Sequence, residues 1–182
     1  ALQCTGTRVS IIEFGSTARI LNGYTEVDDA YITAVTEYFD NNGGDNPLVN
    51  NLHFRDASAT GDNGATNWQA AMLAAESLTS PGNFPNVLLF FTDGNPTARS
   101  TGSNPSFGSG FTFCGSGSST NQSETANPVK LANKFKQNGS HMFMLGVGDS
   151  VNETRLQQMS GTDRLQPDQG ETFGETDYFI EQ

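Results

Sequence analysis

The chain has 182 residues, 9 Lys and Arg against 20 Asp and Glu, and a formal net charge of -11 at pH 7. That length suits one domain with a sizeable core. That charge argues against a nucleic-acid binder or a binder of anionic membranes, since both need clustered basic side chains. No apolar run approaches bilayer length, so no transmembrane segment is expected. Ala1-Leu2-Gln3-Cys4 has neither the basic end nor the apolar core of a signal peptide, and a mature or trimmed amino terminus is expected.

Thr7 to Phe14 alternate and carry Val9, Ile11, Ile12 and Phe14, which predicts a strand. Gly15-Ser16-Thr17 turns the chain, and Ala18 to Leu21 reads as a short partner strand closed by an Asn22-Gly23 turn. Apolar positions recur at helical spacing from Asp29 to Phe39, with Asp28 or Asp29 as cap and Asn41 to Gly44 as stop. A polar loop, a brief Leu52-His53-Phe54 segment and a second polar stretch from Asp56 follow. Trp68 to Leu78, rich in Ala, Leu, Met and Gln, predicts a helix ended by Ser80-Pro81-Gly82.

Asn86 to Gly94 is an almost unbroken apolar run that stops at an aspartate and a glycine. It reads as a strand buried on both sides, of the kind found inside a parallel sheet. Residues 95–127 form a long Gly/Ser/Asn-rich insertion, and Pro128 is expected as the first residue of the next helix. His141 to Val147 is a second apolar strand, Asn152 to Met159 a short helix, and Asp177 to Ile180 a last strand. Strands and helices thus alternate, which predicts a single α/β domain: a doubly wound, mostly parallel central sheet with helices on both faces and one short antiparallel edge strand.

In such sheets ligands bind beyond the carboxyl ends of the strands, where Asp93 falls. Asp93 is either a turn residue capping local amides or a ligand for a hard cation of the Mg²⁺ type. Thr66, just before a helix, is either its N-cap or a hydroxyl facing the same metal. Phe14-Gly15-Ser16-Thr17, then Gly64-Ala65-Thr66-Asn67, then Leu89 to Gly94 together resemble a von Willebrand factor type A domain. The Met144 to Gly148 strand, the Asn152 to Gly161 helix and the Asp177-Tyr178-Phe179 strand follow that family in order and spacing, so the resemblance covers nearly the whole chain.

The resemblance implies a metal-ion-dependent adhesion site, with Thr66 and Asp93 as ligands for Mg²⁺, or for Mn²⁺ or Ca²⁺. It implies an extracellular or cell-surface adhesion or assembly module whose partner is a protein or matrix component, often completing the coordination with an acidic side chain. One departure stands out. The family's Asp-x-Ser-x-Ser motif has no counterpart here, since Asp28, Asp56 and Asp62 lack the serines that would follow. Residues 1–4 resemble the tail of the family's first helix. The expectation is therefore a piece of a longer protein whose first strand lies upstream, between the Thr7–Phe14 and Val87–Thr92 strands. The competing expectation is a strand donated by another polypeptide, or homotypic assembly. The alternative function is a structural subunit of an extracellular filament or matrix, using the same fold without metal.

Cys4 and Cys114 either form one bridge, remain separate thiols or pair elsewhere, for instance with an upstream Cys. Sequons at Asn121, Asn138 and Asn152 are candidate glycosylation sites, although about three arise by chance in so Asn- and Ser-rich a chain. Catalysis is not expected: His53 and His141 are the two histidines, and no nucleophile elbow, phosphate loop or zinc spacing is present. His141 reads as structural. Glu13 is an unusual charge within a strand pattern. Phe107, Phe111 and Phe113 either fold back or form a contact surface.

Overall fold

The computed structural model describes residues 5–40, 64–101, 113–166 and 176–181. The expectations about Cys4, the Asn41 to Gly44 stop, Leu52-His53-Phe54, Asp56, Asp62, Phe107 and Phe111 lie outside them. The chain runs β1 (Arg8–Phe14), β2 (Ala18–Glu26), α1 (Asp29–Asp40), α2 (Trp68–Ser77), β3 (Val87–Thr92), β4 (Arg99–Ser100), β5 (Phe113–Cys114), α3 (Gln122–Gln137), β6 (His141–Val147), α4 (Glu153–Met159) and β7 (Tyr178–Glu181).

β3, β6 and β7 form a parallel sheet in the order β3-β6-β7, with Leu89 opposite Phe143 and Leu145 opposite Phe179. β1 and β2 form a separate antiparallel pair. That hairpin turns at Gly15-Ser16-Thr17 as expected, but the Asn22-Gly23 turn does not form. β2 runs straight through it to Glu26. The reason is local: the ladder bulges near Ile11, and the Asn22 side chain fills in for it. Its Oδ1 accepts from the Ile11 N–H at 3.1 Å and its Nδ2 donates to the Val9 carbonyl at 3.1 Å. A residue type that favours turns here repairs a strand.

Asp28 caps α1 by accepting the Tyr31 N–H at 2.8 Å. α3 begins six residues earlier than Pro128 suggested. Asn121 is its N-cap, and the Glu124 carboxylate reaches back to the Asn121 N–H. Pro128 therefore lies in the helix interior, buried, and the insertion is shorter than 95–127. It also contains the β4–β5 pair, which propensity did not signal.

One core cluster gathers the inward side chains. Phe90, Met142, Met144, Tyr178 and Ile180 from the sheet meet Trp68 and Met72 of α2, Ala132 and Phe135 of α3, and Leu156 and Met159 of α4. Each large side chain buried this way contributes about 1.5–3 kcal/mol. Phe90 is its hinge, with ring centroids 4.9 Å from Phe14 of β1 and 5.7 Å from Trp68, the latter edge-to-face. The helices α2, α3 and α4 all approach from this side. β3 is therefore not buried on both faces among the described residues. Val87, Leu89 and Phe91 are 45%, 54% and 57% exposed. An unbroken apolar run cannot reveal which of its two faces is covered.

Candidate functional site

β1 and β3 both point toward one rim of the molecule, where their following loops meet the entrance of α2. The contact is built from short polar groups. The Gly15 carbonyl accepts the Asn67 N–H at 2.8 Å, the Ser16 carbonyl accepts Asn67 Nδ2 at 3.0 Å, and Ser16 Oγ accepts the Ala65 N–H at 3.2 Å. Ser16 and Asn67 are buried, and these bonds give polar groups held away from water their partners. Asn67 Oδ1 also accepts the Ala70 N–H at 3.0 Å, which makes Asn67 the N-cap of α2. The capping role weighed for Thr66 thus belongs to its neighbour.

Thr66 is instead held by its backbone. Its N–H donates to Thr97 Oγ1 at 2.9 Å, and its carbonyl accepts from the N–H groups of Thr97 and Ala98 at 2.8 and 3.1 Å. Its own hydroxyl is left over. A Cβ placed on Gly94 would lie 3.7 Å from Thr66 Oγ1, so that oxygen sits against the residue that follows Asp93.

The turn after β3 is closed by Thr92, not Asp93. Thr92 Oγ1 donates to the Gly94 carbonyl at 2.8 Å and accepts from Gly94 N–H and from Trp68 Nε1, both at 3.3 Å. The turn-capping role weighed for Asp93 is therefore filled by another side chain. Asp93 is exposed, and its carboxylate makes no hydrogen bond or ion pair with a described residue. Asn95 fastens the same loop to the one after β6, donating to the Ser150 carbonyl at 2.6 Å and accepting the Asn152 N–H at 2.9 Å.

Among the described residues the Thr66 hydroxyl and the Asp93 carboxylate take part in no hydrogen bond, and they lie on adjoining loops braced from behind. Hard oxygen donors of this kind suit Mg²⁺, which keeps several waters and takes few protein ligands. Among the described residues no group of three or more His, Cys, Asp or Glu side chains is arranged for a metal. A cation here would rest on Thr66 and Asp93 together with oxygens from elsewhere. The sequence names those two residues as candidates but not the side chains that support them. Asn67 adjoins Thr66 and carries a capping side chain, a usable signal. Thr97 and Asn95 lie in an irregular loop, where spacing carries none.

The remaining candidates lie apart from one another. Cys114 is an exposed free thiol at the end of β5. Asn121, Asn138 and Asn152 are all exposed helix caps. Asn138 Nδ2 donates to the Lys134 carbonyl at 2.8 Å, and Asn152 Oδ1 accepts the Arg155 N–H at 3.2 Å. Glu13 pairs with Arg19 across the hairpin at 2.7 Å, which explains its place in a strand. His141 opens β6 opposite Val87, away from the rim.

A search of curated proteins finds no match, and a search of solved structures finds none. The family model described as von Willebrand factor type A domain matches residues 1–180. With that match spanning nearly its whole length, and with a parallel sheet, an antiparallel pair and flanking helices in the expected order, the chain belongs to the von Willebrand factor type A domain family.

Proposed function

We propose that this domain is an adhesion or assembly module that grips a protein partner through a divalent cation held at Thr66 and Asp93. Von Willebrand factor type A domains typically mediate protein–protein interaction or adhesion and often bind a divalent metal. The observation that carries the reading is the placement of the Thr66 hydroxyl against Gly94, beside Asp93, with neither side-chain oxygen engaged by another described residue. Mg²⁺ is the first choice, with Mn²⁺ or Ca²⁺ as alternatives. A carboxylate of the partner would complete the coordination, as would oxygen donors beyond these 182 residues. The module works by binding and not by catalysis, and outside the cell or at its surface. Among the described residues no helix is long and apolar enough to cross a membrane.

Titration calorimetry of the full-length protein, stripped with EDTA and then given Mg²⁺, tests the reading. Saturable binding that Asp93→Ala abolishes and Thr66→Ala weakens about 10-fold or more is expected, since each substitution removes an oxygen that holds the ion directly or through a water. Absence of binding defeats it. Homotypic assembly indifferent to chelator would point instead to a structural subunit of a filament or matrix.

A further inference from the structure

We propose that Thr97 is a positioning residue for the cation site, and that through it the root of the β4–β5 insertion sets the affinity for the metal. This rests on the assignment of Thr66 as a ligand and adds what holds that ligand in place.

Residues 97 and 98 make three of the bonds that fix the peptide planes on both sides of Thr66: Thr97 Oγ1 accepts the Thr66 N–H at 2.9 Å, and the Thr97 and Ala98 N–H groups donate to the Thr66 carbonyl at 2.8 and 3.1 Å; a further bond runs from the Asn67 N–H to the Gly15 carbonyl at 2.8 Å. The Thr66 side chain itself makes no hydrogen bond with a described residue, so its direction is inherited from this backbone clamp. Of the three bonds, one uses a side chain and can be removed by mutation without breaking the chain's path. Asn67, the next residue, is held by Gly15 and Ser16 and not by residue 97. Loosening Thr97 therefore frees Thr66 without releasing the start of α2.

The clamp is tied in turn to the insertion. Gly117 N–H donates to the Thr97 carbonyl at 3.4 Å, and Gly115 lies flush against the same segment. A Cβ on Gly115 would run into the Thr97 carbonyl oxygen and come within 2.6 Å of Ala98 Cα. Both obstacles are backbone, so a side chain at 115 must push residues 97 and 98 aside. The returning strand of the insertion thus bears on the two residues that hold Thr66. Second partners of metal ligands commonly govern affinity by orienting the ligand.

The test measures Mg²⁺ affinity of the full-length protein by calorimetry, together with hydrogen exchange of the peptide spanning residues 64–70 and the melting temperature, both in EDTA. Thr97→Val keeps the shape and removes the acceptor, whereas Thr97→Ser keeps the hydroxyl. The expected result is roughly 10-fold weaker Mg²⁺ binding and faster exchange at Thr66 for Thr97→Val, both restored by Thr97→Ser. Gly115→Ala, which leaves the hydroxyl intact, should weaken binding in the same direction and keeps the test alive should Thr97→Val fail to fold. Unchanged affinity in Thr97→Val with only a lower melting temperature would reduce Thr97 to a structural residue and overturn the proposal. So would a Thr97→Ser variant as weak as Thr97→Val, or unchanged affinity in Gly115→Ala. A parent protein that binds no Mg²⁺ removes the cation site itself and this proposal with it, an outcome distinct from the others.

Discussion

The two faces of β3 come from one stretch of six residues and have opposite fates. Leu88, Phe90 and Thr92 look inward: Phe90 joins the core, and Thr92 closes the turn that precedes the rim. Val87, Leu89 and Phe91 look outward and are about half exposed. Composition does not separate the faces, since both are apolar. What separates them is the set of helices available to cover each, which is a property of the whole chain. The outward face continues across Leu145 and Phe179 as an apolar depression also lined by Phe143 and Leu165.

Mutation should reproduce that asymmetry. Phe90→Ala deletes a ring wedged between Phe14 and Trp68 and should cost about 3–5 kcal/mol in denaturant unfolding. Phe91→Ala, one residue away, should cost about 1 kcal/mol or less. Equal losses would mean that the outward face is covered in solution and would break the comparison. A smaller effect belongs to the rim. Asn67→Ala removes the α2 cap and the bond from its Nδ2 to the buried Ser16 carbonyl, so about 1–3 kcal/mol should be lost. Asn67→Asp, which keeps the cap acceptor but cannot donate to Ser16, should recover part of that loss.

The smallest effect is with pH. Burial is the main force pushing the phenols of Tyr24, Tyr31 and Tyr178 above their ordinary value of 10.0; at Tyr178 the donated bond to Glu153 adds to it and the one from Gln157 opposes it. The folded state then keeps these protons to higher pH than the unfolded chain does. Their contribution is whole below pH 10 and drains away as pH rises through the raised folded values. Lys136 works the other way, since burial lowers its value and stability recovers as pH climbs toward 10.5. A chemical-denaturation series across pH 9 to 11 should show a shallower alkaline decline in Tyr178→Phe than in the parent.

How much of this was legible in the sequence follows the same division. Hydrophobic spacing located β1 and α1, apolar runs β3 and β6, and composition and flanking turn residues α2, α4 and β7, each to within a few residues. The failures sit where side chains act on backbone. Asn22-Gly23 has the composition of a turn, yet the Asn22 amide replaces ladder bonds inside a strand. Pro128 marks a helix start by habit, but the Asn121–Glu124 cap starts α3 earlier. At the rim, motif order offered Thr66 and Asp93 as a candidate pair, and the structure brings the Thr66 hydroxyl against Gly94, the residue after Asp93. Thr92 and Asn67 take the turn and cap duties through local bonds to Gly94 and Ala70; what no spacing rule encodes is their hold on Trp68 and Ser16, across 24 residues or more.

The central claim, that Thr66 and Asp93 jointly face a hard cation, is most directly tested by anomalous diffraction from crystals of the full-length protein grown with Mn²⁺. The account predicts one strong peak at the rim, about 2.0–2.3 Å from Thr66 Oγ1 and bound to the Asp93 carboxylate directly or through one water. Mn²⁺ bound elsewhere with that rim empty, or Thr66 and Asp93 facing away from each other, would contradict it.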